Sequence, residues 1–82
     1  MTPLQALEKA VVALGGQTAT AKVCSTADAP VRQQHVFNWL NRDKKLPALH
    51  AVRVHKATCK AGDPVYAWEL CPEAFSEGDI AA

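Results

Sequence analysis

Eighty-two residues, nearly half of them apolar (49%) and with only four glycines and five prolines, describe one small folded domain. They exclude a disordered chain and leave no room for a second domain of ordinary size. The formal charge is +1 but unevenly spread: Lys22, Arg32, Arg42, Lys44, Lys45, Arg53, Lys56 and Lys60 face only Asp28 and Asp43, a net +6, whereas Asp63, Glu69, Glu73, Glu77 and Asp79 follow Lys60 with no basic residue among them. A basic middle and an acidic end form the pattern of a surface that takes a polyanion on one side, or else reflect chance clustering in a short chain.

In chain order, Thr2 is placed to cap a first helix with Pro3 in its first turn, where the missing N–H costs nothing. Leu4, Leu7, Val11 and Leu14 then repeat at helical spacing as a core stripe, and Gly15-Gly16 supplies a left-handed stop. Gln17 to Cys24 reads as a short second helix, small and apolar along Ala21 and Cys24. Gln17 and Thr18 at its start either meet a phosphate at the positive helix end or serve as a cap.

The connection Ser25-Thr26-Ala27-Asp28-Ala29-Pro30 leads to a third helix over residues 31–41. Two registers are open: Asp28 caps a helix with Pro30 in its first turn, so that Arg32 lies inside it, or the helix starts later with Arg32 at its cap. In either, Val36, Trp39 and Leu40 share an apolar stripe, and Arg32, Gln33, Gln34, His35, Phe37 and Asn38 take the remaining surface. A glutamine amide donates and accepts in one plane and so pairs with N6 and N7 of adenine in the major groove, while an arginine fork suits O6 and N7 of guanine. The same polar face would also serve as an ordinary solvated one.

Leu46-Pro47 is a break, and Pro47 is placed to begin a fourth helix through Ala48, Leu49, Ala51, Val52, Val54 and Ala57, whose apolar residues are expected in the core. Arg53, Lys56, His50 and His55 are expected on its surface. Gly62-Asp63-Pro64 should introduce a short fifth helix from Val65 to Leu70, ended by Cys71-Pro72, with Trp68, Leu70 and Phe75 covering the core or forming a dimer contact. Residues 1–75 then make the domain and residues 76–82 an acidic tail that is expected to fray.

Cys24, Cys59 and Cys71 are odd in number and lack a CxxC pair, so free thiols are expected. His50, His55, Cys59 and Cys71 can be drawn as a zinc set, but their spacings do not match compact structural sites, and no metal or other cofactor is expected. No Gly-rich phosphate loop, GxSxG elbow or HExxH pair is present, and the reading is of a non-enzyme. With no basic segment before an apolar run at Met1-Thr2-Pro3-Leu4-Gln5 and no apolar stretch of membrane-spanning length, the expected location is the cytoplasm.

Taken together, the opening Thr2-Pro3-Leu4-Gln5-Ala6-Leu7, the Gly15-Gly16-Gln17-Thr18-Ala19 junction, the run of Val31, Gln33-Gln34, Val36 and Asn38-Trp39-Leu40, the Leu46-Pro47 break and the ending with Tyr66, Glu69-Leu70, Pro72-Glu73 and Phe75 resemble small Cro-type and YdaS-type helix-turn-helix regulators. Such regulators belong to phages, prophages and toxin–antitoxin loci. The resemblance implies an all-α fold, a lambda-repressor-like bundle of four to five short helices in which 17–24 and 31–41 form the helix-turn-helix. It also implies a transcription regulator, most simply a Cro-like repressor acting as a homodimer on a two-fold-related double-stranded operator, with no small-molecule ligand and no membrane partner. Gln33, Gln34 and Asn38 match the family's recognition-helix positions and Gln17 its phosphate-facing helix start. Arg32, His35 and Phe37 depart from the small residues expected there, and residues 26–30 look inserted. The expected DNA-binding set is Gln17, Thr18, Lys22, Arg32, Gln33, Gln34, His35, Phe37, Asn38, Arg42, Lys44 and Lys45. The competing reading is an antitoxin-like protein-interaction module whose helical bundle binds a partner protein, DNA binding being secondary.

Overall fold

The computed structural model describes residues 2–76, so the expected acidic tail lies, beyond Ser76, outside the described residues. The fold is all-α: α1 (Pro3–Leu14), α2 (Gln17–Cys24), α3 (Gln33–Asn38), a π-helical segment (Trp39–Asp43), α4 (Ala48–Lys60) and α5 (Ala67–Leu70). Among the described residues no helix is long and apolar enough to cross a membrane.

Helix α1 is held at both ends by local chemistry. The Thr2 hydroxyl accepts from the Gln5 N–H (3.1 Å) and the Gln5 side-chain oxygen accepts from the Thr2 N–H (3.0 Å), a reciprocal capping box. At its other end Gly15 takes φ 97°, which lets Gly15 and Gly16 donate back to the Val12 and Val11 carbonyls (3.1 and 2.8 Å). Ala6, Leu7, Ala10 and Val11 are buried, with Leu14 packed at the edge. The same glycine pair starts α2, where Thr20 directs both its N–H and its hydroxyl to the Gly16 carbonyl. Thr20, Ala21 and Cys24 form the buried side of α2, as the small-residue pattern predicted.

The long connection to α3 closes on itself. Thr26 and Ala29 bond to each other through the Thr26 hydroxyl (3.0 Å) and the Thr26 N–H (3.2 Å), and the Ser25 hydroxyl accepts from the Val31 N–H (3.0 Å). The inserted residues therefore bulge outward, with Ala27 to Pro30 exposed, while Val31 returns to the core. This also decides the register: α3 starts at Gln33 with Arg32 extended at its cap (φ −108°, ψ 162°), and Asp28 caps nothing here. The helix expected over 31–41 is α-helical only to Asn38 and then widens into the π-helical segment, ended by Lys44 in the left-handed region (φ 57°). Val36 and Trp39 are buried and Leu40 packs on the core.

Helix α4 corrects two expectations. His50 and His55, expected on the surface, are buried (8% and 6% exposed), while Ala48 and Leu49, expected in the core, are exposed, Leu49 by 78%. Each histidine has a tertiary partner: the His50 ring lies 5.2 Å from the Trp39 ring, and His55 Nδ1 accepts from the Ala67 N–H (3.1 Å). Thr58 is also inside, donating to the His55 carbonyl (2.9 Å) and accepting from the Val65 N–H (2.9 Å). The chain after α4 is thereby fastened to it, and α5 begins only at Ala67, with Val65 and Tyr66 extended ahead of it, later than the predicted start at Val65. Tyr66 and Trp68 stack at 4.7 Å with His55 edge-on to both. Leu70 is buried and Phe75 packs on the core, which covers it as predicted; Trp68 is half-buried.

Helix α4 packs against α1, α2 and α5, whereas α3 packs against α2 and runs on into the π-helical segment, which reaches α1. Helix α3 itself therefore packs on α2 alone among the other α-helices.

Candidate nucleic-acid interface

Six residues at about 100° apiece fix what α3 shows to solvent. With Val36 turned inward, Gln34 and Asn38 lie opposite it, Gln33 and Phe37 on one flank and His35 on the other. Gln33, Gln34 and His35 are exposed, Phe37 is 44% exposed and Asn38 is half-buried. The residues proposed from the sequence to read bases therefore share one continuous face.

Two amide pairs organise that face. The Gln33 side-chain N–H donates to the Gln17 side-chain oxygen, joining the first residue of α3 to the first residue of α2. One N–H and the carbonyl oxygen of Gln33 remain, the two groups a bidentate adenine contact requires, and Gln17 keeps both N–H donors for an anion. Gln34 donates to the Asn38 side-chain oxygen at 3.3 Å, an i, i+4 pair that holds both amides upright on the same face.

His35 is placed differently from the expectation of a free reader. Its Nδ1 accepts from the Arg32 N–H (2.9 Å), so the ring caps its own helix and presents only Nε2 outward. The Arg32 side chain is exposed at the helix start, beside Gln33. Asn41 was not singled out from the sequence, yet its side-chain N–H donates to the Phe37 carbonyl (2.9 Å) and ties the widened segment to α3. Its position four residues beyond Phe37, in reach of that carbonyl on one helix face, was the signal available.

The basic residues frame the face from two directions. On α2, Thr18 and Lys22 are exposed on the side away from buried Ala21 and Cys24, and no side chain caps the N-terminus of that helix. Beyond the other end of α3, Arg42, Lys44 and Lys45 are exposed in and after the π-helical segment. Arg42 is paired with Asp43 at 3.3 Å, which offsets part of its charge, whereas Lys44 and Lys45 take part in neither of the two ion pairs among the described residues.

No family model, curated protein or solved structure matches this chain. The chemistry is accordingly that of the side chains themselves. Burial pushes the Cys24 thiol up to about 11, with Arg53 acting in the opposite sense. Burial also raises the Cys71 thiol, opposed by Lys45 and reinforced by Glu73, and its sulfur donates to the Leu46 carbonyl. Neither thiol is poised as a nucleophile. The four residues that can be drawn as a zinc set are engaged apart from one another: His50 on Trp39, His55 on Ala67, Cys71 on Leu46, and Cys59 exposed on α4. Among the described residues no three His, Cys, Asp or Glu side chains converge on a common metal position.

Proposed function

We propose that this chain is a sequence-specific DNA-binding transcription regulator of the Cro-type or YdaS-type helix-turn-helix class, with α2 and α3 as its helix-turn-helix. The observation that carries the reading is the Gln17–Gln33 amide pair, which couples a helix start suited to phosphate to a side chain suited to a base edge. Gln33, Gln34 and Asn38 read bases; Arg32 and the outward Nε2 of His35 contact bases or phosphates at the start of α3; Phe37 touches a thymine methyl. Gln17, Thr18, Lys22, Arg42, Lys44 and Lys45 hold the backbone and contribute the salt dependence. Six residues of α-helix span only about 9 Å, so one copy reads few base pairs, and a homodimer on a two-fold-related operator supplies the rest. The regulator acts as a repressor in the cytoplasm with no catalytic step and no cofactor.

The self-closed loop at Thr26–Ala29 supports this reading, because an insertion there lengthens the connection without loosening the approach of α3 to α2. The test is fluorescence anisotropy with DNA from the region beside the protein's own gene and with random DNA, across salt from roughly 50 to 200 mM, over which phosphate contacts weaken steeply. Gln34→Ala should cost about 1–3 kcal/mol on the specific fragment and little on random DNA, and Lys45→Ala should weaken both and flatten the salt slope. Equal losses for both variants on all sequences would overturn the division between base and backbone contacts. Equal, weak binding to both fragments by the unaltered protein would overturn the regulator reading itself.

A further inference from the structure

Helix α4 has a second surface that the DNA reading does not use. Leu49, Val52, Arg53 and Lys56 recur at i, i+3, i+4 and i+7 and line one shallow hollow. Leu49 is 78% exposed, Val52 is half-buried, and Arg53 and Lys56 are exposed. Neither basic residue takes part in an ion pair among the described residues; Arg53 makes only a long bond, 3.4 Å, to the Ser25 carbonyl. Its positive charge acts on its surroundings, secondary to burial at both sites: it favours the thiolate of Cys24 and disfavours a protonated ring at His50. Leu49 is neither in the core nor among the residues packed on it, and it shares its helix face with two cations that have no carboxylate partner among the described residues.

We infer that this ridge docks an acidic amphipathic helix of another protein, whose apolar side covers Leu49 and Val52 and whose carboxylates meet Arg53 and Lys56. Charge complementarity selects that occupant. A second copy seated ridge to ridge would bring Arg53 and Lys56 against their own counterparts, and a nucleic-acid backbone offers nothing to an exposed leucine. An amphipathic helix laid along such a face would present its apolar anchors at i, i+3, i+4 and i+7 with charge to either side. Because α4 does not pack against α3, a partner held here leaves the face of Gln33, Gln34 and Asn38 open. The proposal does not depend on the DNA reading, since the ridge and the α3 face share no residue.

The probe is a synthetic helical peptide of about five turns, with leucines at i, i+3, i+4 and i+7 between glutamates, titrated into the isotope-labelled full chain and followed by NMR. Backbone shifts should move at Leu49, Val52, Arg53 and Lys56 and not at Gln33 or Gln34. Leu49→Ser, and separately Lys56→Glu, should each weaken the peptide by about tenfold while the unperturbed remainder of the spectrum reports an intact fold. A peptide with lysine in place of each glutamate should not bind. Equal binding of the lysine peptide, or shifts that avoid α4, would overturn the proposal. So would a loss of DNA affinity and salt slope in Lys56→Glu, which would make the ridge a phosphate contact. A dimer in sedimentation that Leu49→Ser converts to monomer would likewise overturn it, in favour of a second copy.

Discussion

In α3 the polar residues stay outside: two glutamines and an asparagine are offered to solvent, and the one histidine is used to cap its own helix. In α4 three uncharged polar residues go inside: His50, His55 and Thr58 are buried, while Leu49 stands outside beside the charged Arg53 and Lys56. The difference lies in what each helix is packed against. Helix α4 is surrounded by α1, α2 and α5, and buried backbone groups of its neighbours need acceptors, which the His55 ring and the Thr58 hydroxyl provide to Ala67 and Val65. Helix α3 has α2 alone beneath it, so its polar groups have no buried partner to satisfy and are free for an external one. A buried polar group therefore serves stability, whereas an exposed amide pair keeps groups that the fold does not use.

The largest expected effect follows from cutting the buried side of this contrast. His55→Ala removes ring packing against Tyr66 and Trp68 and strips the Ala67 N–H of its acceptor, at a cost of about 3 kcal/mol in urea unfolding. That is a large share of the roughly 5–15 kcal/mol that a domain of this kind has. Thr58→Val keeps the volume but leaves the Val65 N–H unpaired, and should cost about 1–3 kcal/mol. Losses below half a kilocalorie in both would mean that these groups find water instead, and that the contrast between α3 and α4 is one of position only.

A smaller effect concerns pH. Burial, and then the charge of Arg53, hold the His50 pKa below its ordinary value of 6.5. As pH falls through 6.5 the unfolded chain takes up a proton that the folded ring refuses, so stability falls, and it stops falling once the folded ring titrates too. His50→Phe retains a ring against Trp39 and should flatten this part of the decline in melting temperature between about pH 7 and 5. An unchanged slope would assign the acid sensitivity to other groups. The smallest effect is on the exposed side: Gln34→Ala should leave unfolding stability within about 0.5 kcal/mol while lowering affinity for specific DNA. A clear loss of stability there would mean that the Gln34–Asn38 pair serves the fold.

Much of the architecture is visible from local signals. Thr2, Pro3 and Gly15 mark the ends of α1 by chemistry confined to a few neighbouring residues, and the small-residue side of α2 is recognisable from Ala21 and Cys24. The polar face of α3 was legible for the same reason, since Val36 and Trp39 fix which side turns inward. The start of α3 was not, because Asp28 and Arg32 are both sterically acceptable caps and the choice rests on the Ser25–Val31 and Thr26–Ala29 bonds closing the loop between them. The pairing of Gln17 with Gln33, sixteen residues apart, was equally beyond a local reading.

What the sequence determined by itself is an all-helical chain, the limits of its first two helices, and the polar residues that face outward on the third. Those depend on capping groups, glycine conformations and helical periodicity, all of which act within about one turn. What only the tertiary structure decided is which polar residues are consumed by the core and which hydrophobic ones are left outside it. Periodicity identifies a side of a helix but not what covers that side, and on α4 the covering comes from Trp39, Val65 and Ala67, residues outside the helix whose approach depends on how the flanking segments fold back. His50, His55 and Thr58 went in because those segments supplied rings and backbone groups to meet them, and Leu49 stayed out because no segment reached it.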